Sequence, residues 1–247
     1  MSVRSPATGT DEASITKAWG LRLGRDALAI EHRLPPELRQ LHNVVVCRAH
    51  EVGARGLILS GSTARSCRTA ISDLDYHLIG PRIATRDLSA ELDLHVVSEA
   101  ELETVILSGD DFVQWSLRFG LVVFDEGVLR RAAQVMTEHR PWPDVDRKIR
   151  HAAKSVDLAR RFVETADEDG ALEQVRTALS LAARARLLSA GTFPLSRAEL
   201  PEQLDALGFQ EAGDALRTII FASVSLEALA DAVVRCEELL AVVAPLT

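Results

Sequence analysis

Four short stretches in the first half of the chain have the spacing of apolar residues that is typical of β-strands. Residues 56–60 form an apolar run that ends at a Gly-Ser turn, which predicts a buried strand. Residues 73–79 and 92–97 alternate between polar and apolar positions, and residues 121–124 form a further apolar run. We therefore predict four strands in this half of the chain.

The alternation also sorts the polar residues of two strands onto one face. Side chains at every second position of a strand point to the same side of the sheet. Asp73, Asp75 and His77 therefore share one face of the second strand, opposite its leucines and tyrosine. Asp93 and His95 share a face of the third strand in the same way.

Apolar positions that recur every three or four residues predict the helices. In the first half of the chain these helices cover residues 11–34, 37–52, 98–107 and 111–119. Beyond Pro141 and Pro143 every predicted element is a helix, over residues 144–166, 171–190 and 197–207 and in two more segments towards the end. The pattern predicts an α+β fold, with a small mixed-sheet domain at residues 1–140 and an all-helical bundle at residues 141–247.

Composition and charge narrow the classes of function. The 36 acidic and 28 basic residues give a net charge of −8, so there is no overall positive field to attract nucleic acid, and we expect none as a partner. No apolar run approaches the roughly 18 residues of a membrane helix, so we expect no membrane partner either. The first residues lack the apolar segment of a signal peptide, which predicts a cytoplasmic protein. The odd, widely spaced cysteines predict neither a disulfide framework nor a structural zinc site.

The turn after the first predicted strand is the first candidate for chemistry. Gly61 allows a tight turn and lets backbone N–H groups approach a ligand closely. Ser62 falls where a short helix is predicted to begin, so its hydroxyl and the free N–H groups would form a phosphate cradle. Taken alone, a Gly-Ser pair is more often an ordinary turn with a capping serine.

Three aspartates near this turn are the second candidate. Asp73 and Asp75 project from one face of a strand, and Asp93 on a neighbouring strand would complete a cluster of three carboxylates. Oxygen ligands of this kind suit Mg²⁺ or Mn²⁺. Two such ions about 3.5–4 Å apart can activate an attacking hydroxyl and stabilise a departing pyrophosphate. The alternatives are a turn aspartate at Asp73 and an exposed strand position at Asp93.

Together these residues resemble the motif of the polymerase-β-type nucleotidyltransferase superfamily, a Gly-Ser turn followed by Asp-x-Asp and a third carboxylate on an adjacent strand. The matching positions are Gly61, Ser62, Ala64, Arg65, Ser72, Asp73 and Asp75. Ser66 stands where similar members have glycine. The motif resemblance covers about residues 56–125, and the helical half resembles the substrate-side domain of kanamycin-type members.

The resemblance implies a Mg²⁺-dependent transfer of a nucleoside monophosphate from a nucleoside triphosphate, with ATP expected, to a hydroxyl of a small-molecule acceptor. It implies that Asp73 and Asp75 bind both metal ions and that Asp93 binds the ion that activates the acceptor. Gly61 and Ser62 would hold the β- and γ-phosphates, with help from Arg65. In kanamycin-type members a glutamate of the helical domain is the general base, and the sequence does not choose among Glu164, Glu173, Glu199 and Glu202.

Three other functions stay open at this stage. The chain could be a regulatory, antitoxin-type nucleotidyltransferase that modifies or masks a protein partner. It could be an inactive fold used only for binding, which the serine at position 66 would favour. A polynucleotide-extending enzyme is a weaker alternative. His77 and His95 are either substrate contacts or residues of an exposed strand face, and the helical domain could equally form a homodimer.

Overall fold

The computed structural model describes residue 30 and residues 34–68, 72–88, 92–221 and 224–243. The chain divides into two compact units, Met1–Trp142 and Pro143–Thr247. Most of the helix predicted over residues 11–34 lies outside the described residues.

A four-stranded mixed sheet forms the centre of the first unit. Its strands are β1 (Gly56–Leu59), β2 (Leu74–Ile79), β3 (Leu92–Val97) and β4 (Leu121–Asp125), in the order β3-β2-β1-β4. Strand β1 pairs antiparallel with β2 and with β4, whereas β2 pairs parallel with β3. The four predicted strands are confirmed to within one residue at each end.

Helices cover both faces of this sheet. They are α1 (Pro36–Glu51), α2 (Gly61–Ala64), α3 (Glu99–Leu107), α4 (Asp111–Phe119) and α5 (Val128–His139). The leucines and the tyrosine of β2 pack with α1 on one side, as their alternation predicts. On the other side Ile58 and Ile79 pack with α3, α4 and α5. The polar face of β2 is thus the face that carries three helices.

Helix α5 has no counterpart among the predicted elements. Its start is fixed by Asp125, whose Oδ1 accepts hydrogen bonds from the N–H groups of Gly127 at 2.8 Å and Leu129 at 2.9 Å. Val128, Leu129, Ala132 and Met136 are buried at a spacing of one, three and four residues. An aspartate shortly before an apolar run with helical spacing is a sequence signal for the start of a helix. This signal could have predicted α5.

The second unit is entirely helical among its described residues. It contains α6 (Val145–Glu164), α7 (Glu168–Ser189), a 3₁₀ turn (Arg197–Glu199), α8 (Leu200–Ala206), α9 (Gln210–Phe221) and α10 (Leu226–Val243). Its core is rich in alanine and leucine from α6, α7 and α10. The predicted start of α7 at residue 171 is wrong, because Asp167 accepts a hydrogen bond from the Gly170 N–H at 2.9 Å and begins the helix earlier.

The predicted fold class is confirmed: an α+β unit with a mixed sheet precedes an all-helical unit. Within the part of the chain that the structure describes, every helix is too short or too polar to cross a membrane.

Candidate functional site

The turn after β1 contains the first two residues of the predicted site. Gly61 and Ser62 open the one-turn helix α2, and Gly61 has the left-handed φ of +64° that favours glycine. The residue before the helix is Ser60, so the prediction that the helix begins at Ser62 is wrong by one residue. Ser62 is half-buried, and its carbonyl accepts a hydrogen bond from the Cys67 N–H at 3.0 Å.

Asp75 lies directly against Gly61. A Cβ placed on Gly61 would lie 2.6 Å from Asp75 Cγ and closer still to its Oδ2, so any side chain at position 61 would displace the carboxylate. The backbone holds the same contact, because the N–H of Ser60 donates to the Asp75 carbonyl at 2.8 Å. The Gly-Ser turn and one candidate metal ligand are therefore brought together by the pairing of β1 with β2.

Asp75 and Asp93 occupy facing positions on the parallel strands β2 and β3, and His77 and His95 face each other one step further along. Neighbouring strands lie about 4.8 Å apart, so the two aspartates lie close together on one face of the sheet. Asp75 is half-buried and Asp93 is exposed. Asp73 is exposed and directly precedes β2.

The described residues contain no group of three His, Cys, Asp or Glu side chains that could hold a metal ion. The structure thus brings Asp75 and Asp93 together and does not draw Asp73 into a group with them. Mg²⁺ is commonly held by one or two carboxylates, with substrate phosphates and water as its other ligands. Asp75 and Asp93 fit an ion of that kind, and the part of Asp73 stays a prediction.

His77 is buried beneath α4. Its side chain is 1 % exposed, its Nδ1 lies 2.7 Å from Ser116 Oγ, and its ring centroid lies 4.3 Å from that of His95. Burial lowers the pKa of His77 to about 3, with the nearby His95 as a second cause, so the imidazole is neutral. The interpretation of His77 as a residue of an exposed strand face is therefore wrong.

Phe112 on α4 completes this ring cluster. Its centroid lies 4.8 Å from that of His77 and 4.9 Å from that of His95, and Phe112 itself is 38 % exposed. Sequence reasoning did not assign Phe112 or Ser116 to the site. Both lie more than 30 positions from His77 in the chain, so only the packing of α4 on β2 joins them.

Two arginines border the turn. The Arg65 guanidinium lies 5.4 Å from the ring centroid of Phe119, a distance suited to a cation–π contact. Arg68, which the motif does not include, donates from Nη1 to the Asp73 carbonyl at 3.0 Å. Arg68 therefore holds the backbone at the start of β2, whereas a phosphate contact by Arg65 stays a prediction.

Ser66 adopts the backbone that a glycine would adopt freely, with φ of +58°. A left-handed φ is costly for residues other than glycine, by roughly 1–2 kcal/mol. The loop after α2 therefore keeps a left-handed turn even though serine stands at the position where similar motifs have glycine.

The helical unit leaves the choice of a general base open. Glu199 forms a capping box with Ser196, and Glu202 lies 3.8 Å from Arg217. Glu173 lies 4.0 Å from Arg176, and Glu164 is exposed near the end of α6. Each of these contacts lies within the helical unit, so they do not favour one glutamate.

No protein-family model and no curated protein matches the chain. One solved structure with similarity to it is that of a nucleotidyltransferase-like protein from Exiguobacterium sibiricum 255-15. The two chains are 18 % identical, with a TM-score of 0.39, and the match covers 83 % of this chain and 73 % of the other.

Proposed function

We propose that this chain is a Mg²⁺-dependent nucleotidyltransferase that transfers a nucleoside monophosphate, with ATP as the expected donor, to a hydroxyl of a small acceptor. The observation that carries the proposal is the contact of the Asp75 carboxylate with Gly61, while Asp93 faces Asp75 on the next strand. An aspartate is uncommon within a strand. A pair of facing aspartates beside a glycine turn is therefore costly without a ligand that needs it.

Each part of the arrangement has a place in the proposed reaction. The Gly61–Ser62 backbone would donate hydrogen bonds to the β- and γ-phosphates, because the absence of a side chain at Gly61 permits a close approach. Asp75 and Asp93 would hold Mg²⁺, with Asp73 as a further ligand. When bound, Mg²⁺ would supply charge neutralisation on the phosphate oxygens.

The chemistry is an in-line displacement at the α-phosphate. The acceptor hydroxyl would give its proton to a general base and form a bond to the α-phosphorus, and the bond from that phosphorus to the bridging oxygen would break so that pyrophosphate leaves. The residues of this chain act by positioning the two reactants and by balancing charge. We assign the catalytic part to residues 1–140 and a substrate-side or dimerisation part to residues 141–247.

Label transfer tests this proposal directly. The chain is incubated with each α-phosphate-labelled nucleoside triphosphate, Mg²⁺ and a panel of hydroxylated acceptors. Asp75→Asn should abolish transfer while the protein stays folded, since it removes one of two facing negative charges. Asp231→Asn on the exposed side of α10 is the matched control and should keep full activity. Equal activity in the two variants would overturn the site, and labelling of protein instead of a small acceptor would favour the regulatory alternative.

A further inference from the structure

A buried chain of hydrogen bonds runs beneath the Gly-Ser turn. Ser60 Oγ donates to Ser116 Oγ at 2.8 Å, and Ser116 Oγ lies 2.7 Å from His77 Nδ1. The three side chains are 1 %, 2 % and 1 % exposed in the order Ser60, Ser116 and His77. They come from the end of β1, from α4 and from β2, so three elements meet at one row of polar atoms.

Ser116 Oγ lies within hydrogen-bond distance of both Ser60 Oγ and His77 Nδ1, so its hydroxyl joins the turn after β1 to β2. A neutral imidazole has one donor and one acceptor nitrogen, and the tautomer of His77 sets the direction of its hydrogen bond to Ser116.

The row reaches the candidate site through Ser60. This residue donates its backbone N–H to the Asp75 carbonyl, and it directly precedes Gly61. Gly120, directly after α4, also packs closely against β1. A Cβ on Gly120 would lie 3.0 Å from the Leu59 carbonyl oxygen and closer to Ile58. A shift of Ser60 would therefore move the turn and the carboxylate together.

Stability alone does not account for these three residues. Their surroundings are largely apolar, with Ile58, Val113 and Leu117 nearby in sequence and buried in the core on the α4 side of the sheet. A buried polar row has little net benefit over apolar residues of similar shape, and an unpaired buried polar atom has a cost. His77 Nε2 carries that cost, since it has no hydrogen-bond partner in the described part of the chain.

We propose that His77, Ser116 and Ser60 are positioning residues that fix the Gly61–Ser62 turn and Asp75 in the geometry that binds a nucleoside triphosphate. The inference rests on the proposed function. The row acts through the backbone of Ser60 and touches neither phosphate nor metal. The row keeps the turn ordered before nucleotide binds. Binding then has a smaller entropic cost, because the turn does not have to be ordered at that step.

Two measurements on matched variants test the row. Ser116→Ala removes its middle hydroxyl and Ser116→Thr retains it. Ser180→Ala removes another buried serine hydroxyl, from α7, that has no hydrogen-bond partner in the described part of the chain. Titration calorimetry with ATP and Mg²⁺ gives nucleotide affinity, and amide hydrogen exchange at Gly61 and Ser62 gives the mobility of the turn without nucleotide.

We expect Ser116→Ala to weaken ATP binding by about tenfold and to speed exchange at both amides, because small misplacements of binding groups are costly. Ser116→Thr should restore most of the affinity, and Ser180→Ala should change neither quantity. A purely structural role would lower the melting temperature of Ser116→Ala and leave affinity and local exchange unchanged, which would overturn the inference. Absence of ATP binding by the unaltered chain would instead overturn the proposed function.

Discussion

The carboxylate of Asp75 packs against the Cα of Gly61, leaving no room for a side chain at that position. We predict that Gly61→Ala abolishes nucleotide transfer and destabilises the fold by more than the roughly 1–2 kcal/mol of a strained left-handed alanine, since Asp75 must also move. Urea unfolding and the label-transfer assay measure the two effects.

Gly53→Ala is the control for backbone strain alone. Gly53 has a φ of +72° but nothing lies within 4 Å of a Cβ placed there. The Gly53→Ala variant should therefore lose about the free energy of unfolding that a strained left-handed alanine costs, and it should keep its nucleotide-transfer activity. Equal loss of activity in both variants would contradict the importance of the Gly61–Asp75 contact.

Nucleotide binding should depend on a divalent cation. Asp75 and Asp93 would repel an unscreened triphosphate, so ATP should raise the melting temperature only with Mg²⁺ or Mn²⁺ present. At one hundred times its dissociation constant a ligand adds about 2.7 kcal/mol of stability. Thermal unfolding with ATP in Mg²⁺ and in EDTA measures the difference, and the same shift in both buffers would argue against these carboxylates.

Stability should fall in acid because of His77. Its pKa is about 3 when folded and near the ordinary 6.5 when unfolded, so between these values only the unfolded chain takes up the proton. The free energy of unfolding is therefore highest above pH 6.5, where His77 is neutral in both states. It falls as the pH decreases towards 3, by at most about 1.4 kcal/mol per pH unit from this one group.

His77→Gln removes this titration and should flatten the dependence of unfolding free energy on pH in that range. Ser180→Ala removes a buried polar side chain that does not titrate, and it should leave this pH dependence as it is in the unaltered chain. Urea unfolding at several pH values compares the three proteins. Parallel curves for His77→Gln and the unaltered chain would show that His77 is not the group responsible.

The rate at which Cys236 reacts with a thiol reagent measures how readily the core of the helical unit opens. Cys236 is 1 % exposed in the core of that unit, and burial raises the pKa of its thiol to about 12, whereas Cys47 is exposed. The hydrogen bond to Glu51 also raises the pKa of the Cys47 thiol, so the expected difference in rate comes mainly from exposure to the reagent. In the folded protein a thiol reagent at pH 8 should modify Cys47 at least about a hundred times faster than Cys236, because the reagent reaches the exposed thiol freely. Cys236 should become reactive when urea unfolds the unit.

Cys236→Ala assigns the slow signal, because it should remove that signal and leave those of Cys47 and of the half-buried Cys67. Rapid modification of Cys236 in the absence of urea would mean that the core of α10 opens readily.

Sequence spacing predicts much of the sheet because its signals are local. The alternation of β2 places Asp75 and His77 on one face, and that is where the structure has them. Helix α5 has no counterpart among the predicted elements, although Gly127 stands directly before it and Asp125 accepts hydrogen bonds from the N–H groups of Gly127 and Leu129.

The environment of the candidate site depends on long-range packing. Asp75 faces Asp93 only because β2 pairs parallel with β3, and alternation alone does not set that register. The burial of His77 depends on α4, some 40 residues later in the chain. The residue types in a motif can therefore suggest a ligand. Which of these residues lie next to one another depends on how the strands and helices pack.

The carboxylate of Asp125 belongs to the last residue of β4 and also anchors the first turn of α5. One side chain thus joins a strand end to a helix start, so displacement of Asp125 with β4 would break hydrogen bonds at the first turn of α5. We expect β4 and α5 to exchange their amide protons as a single cooperative segment. On this view a change at Asp125 would loosen an edge of the sheet and the helix that covers it, at a distance from the Gly-Ser turn.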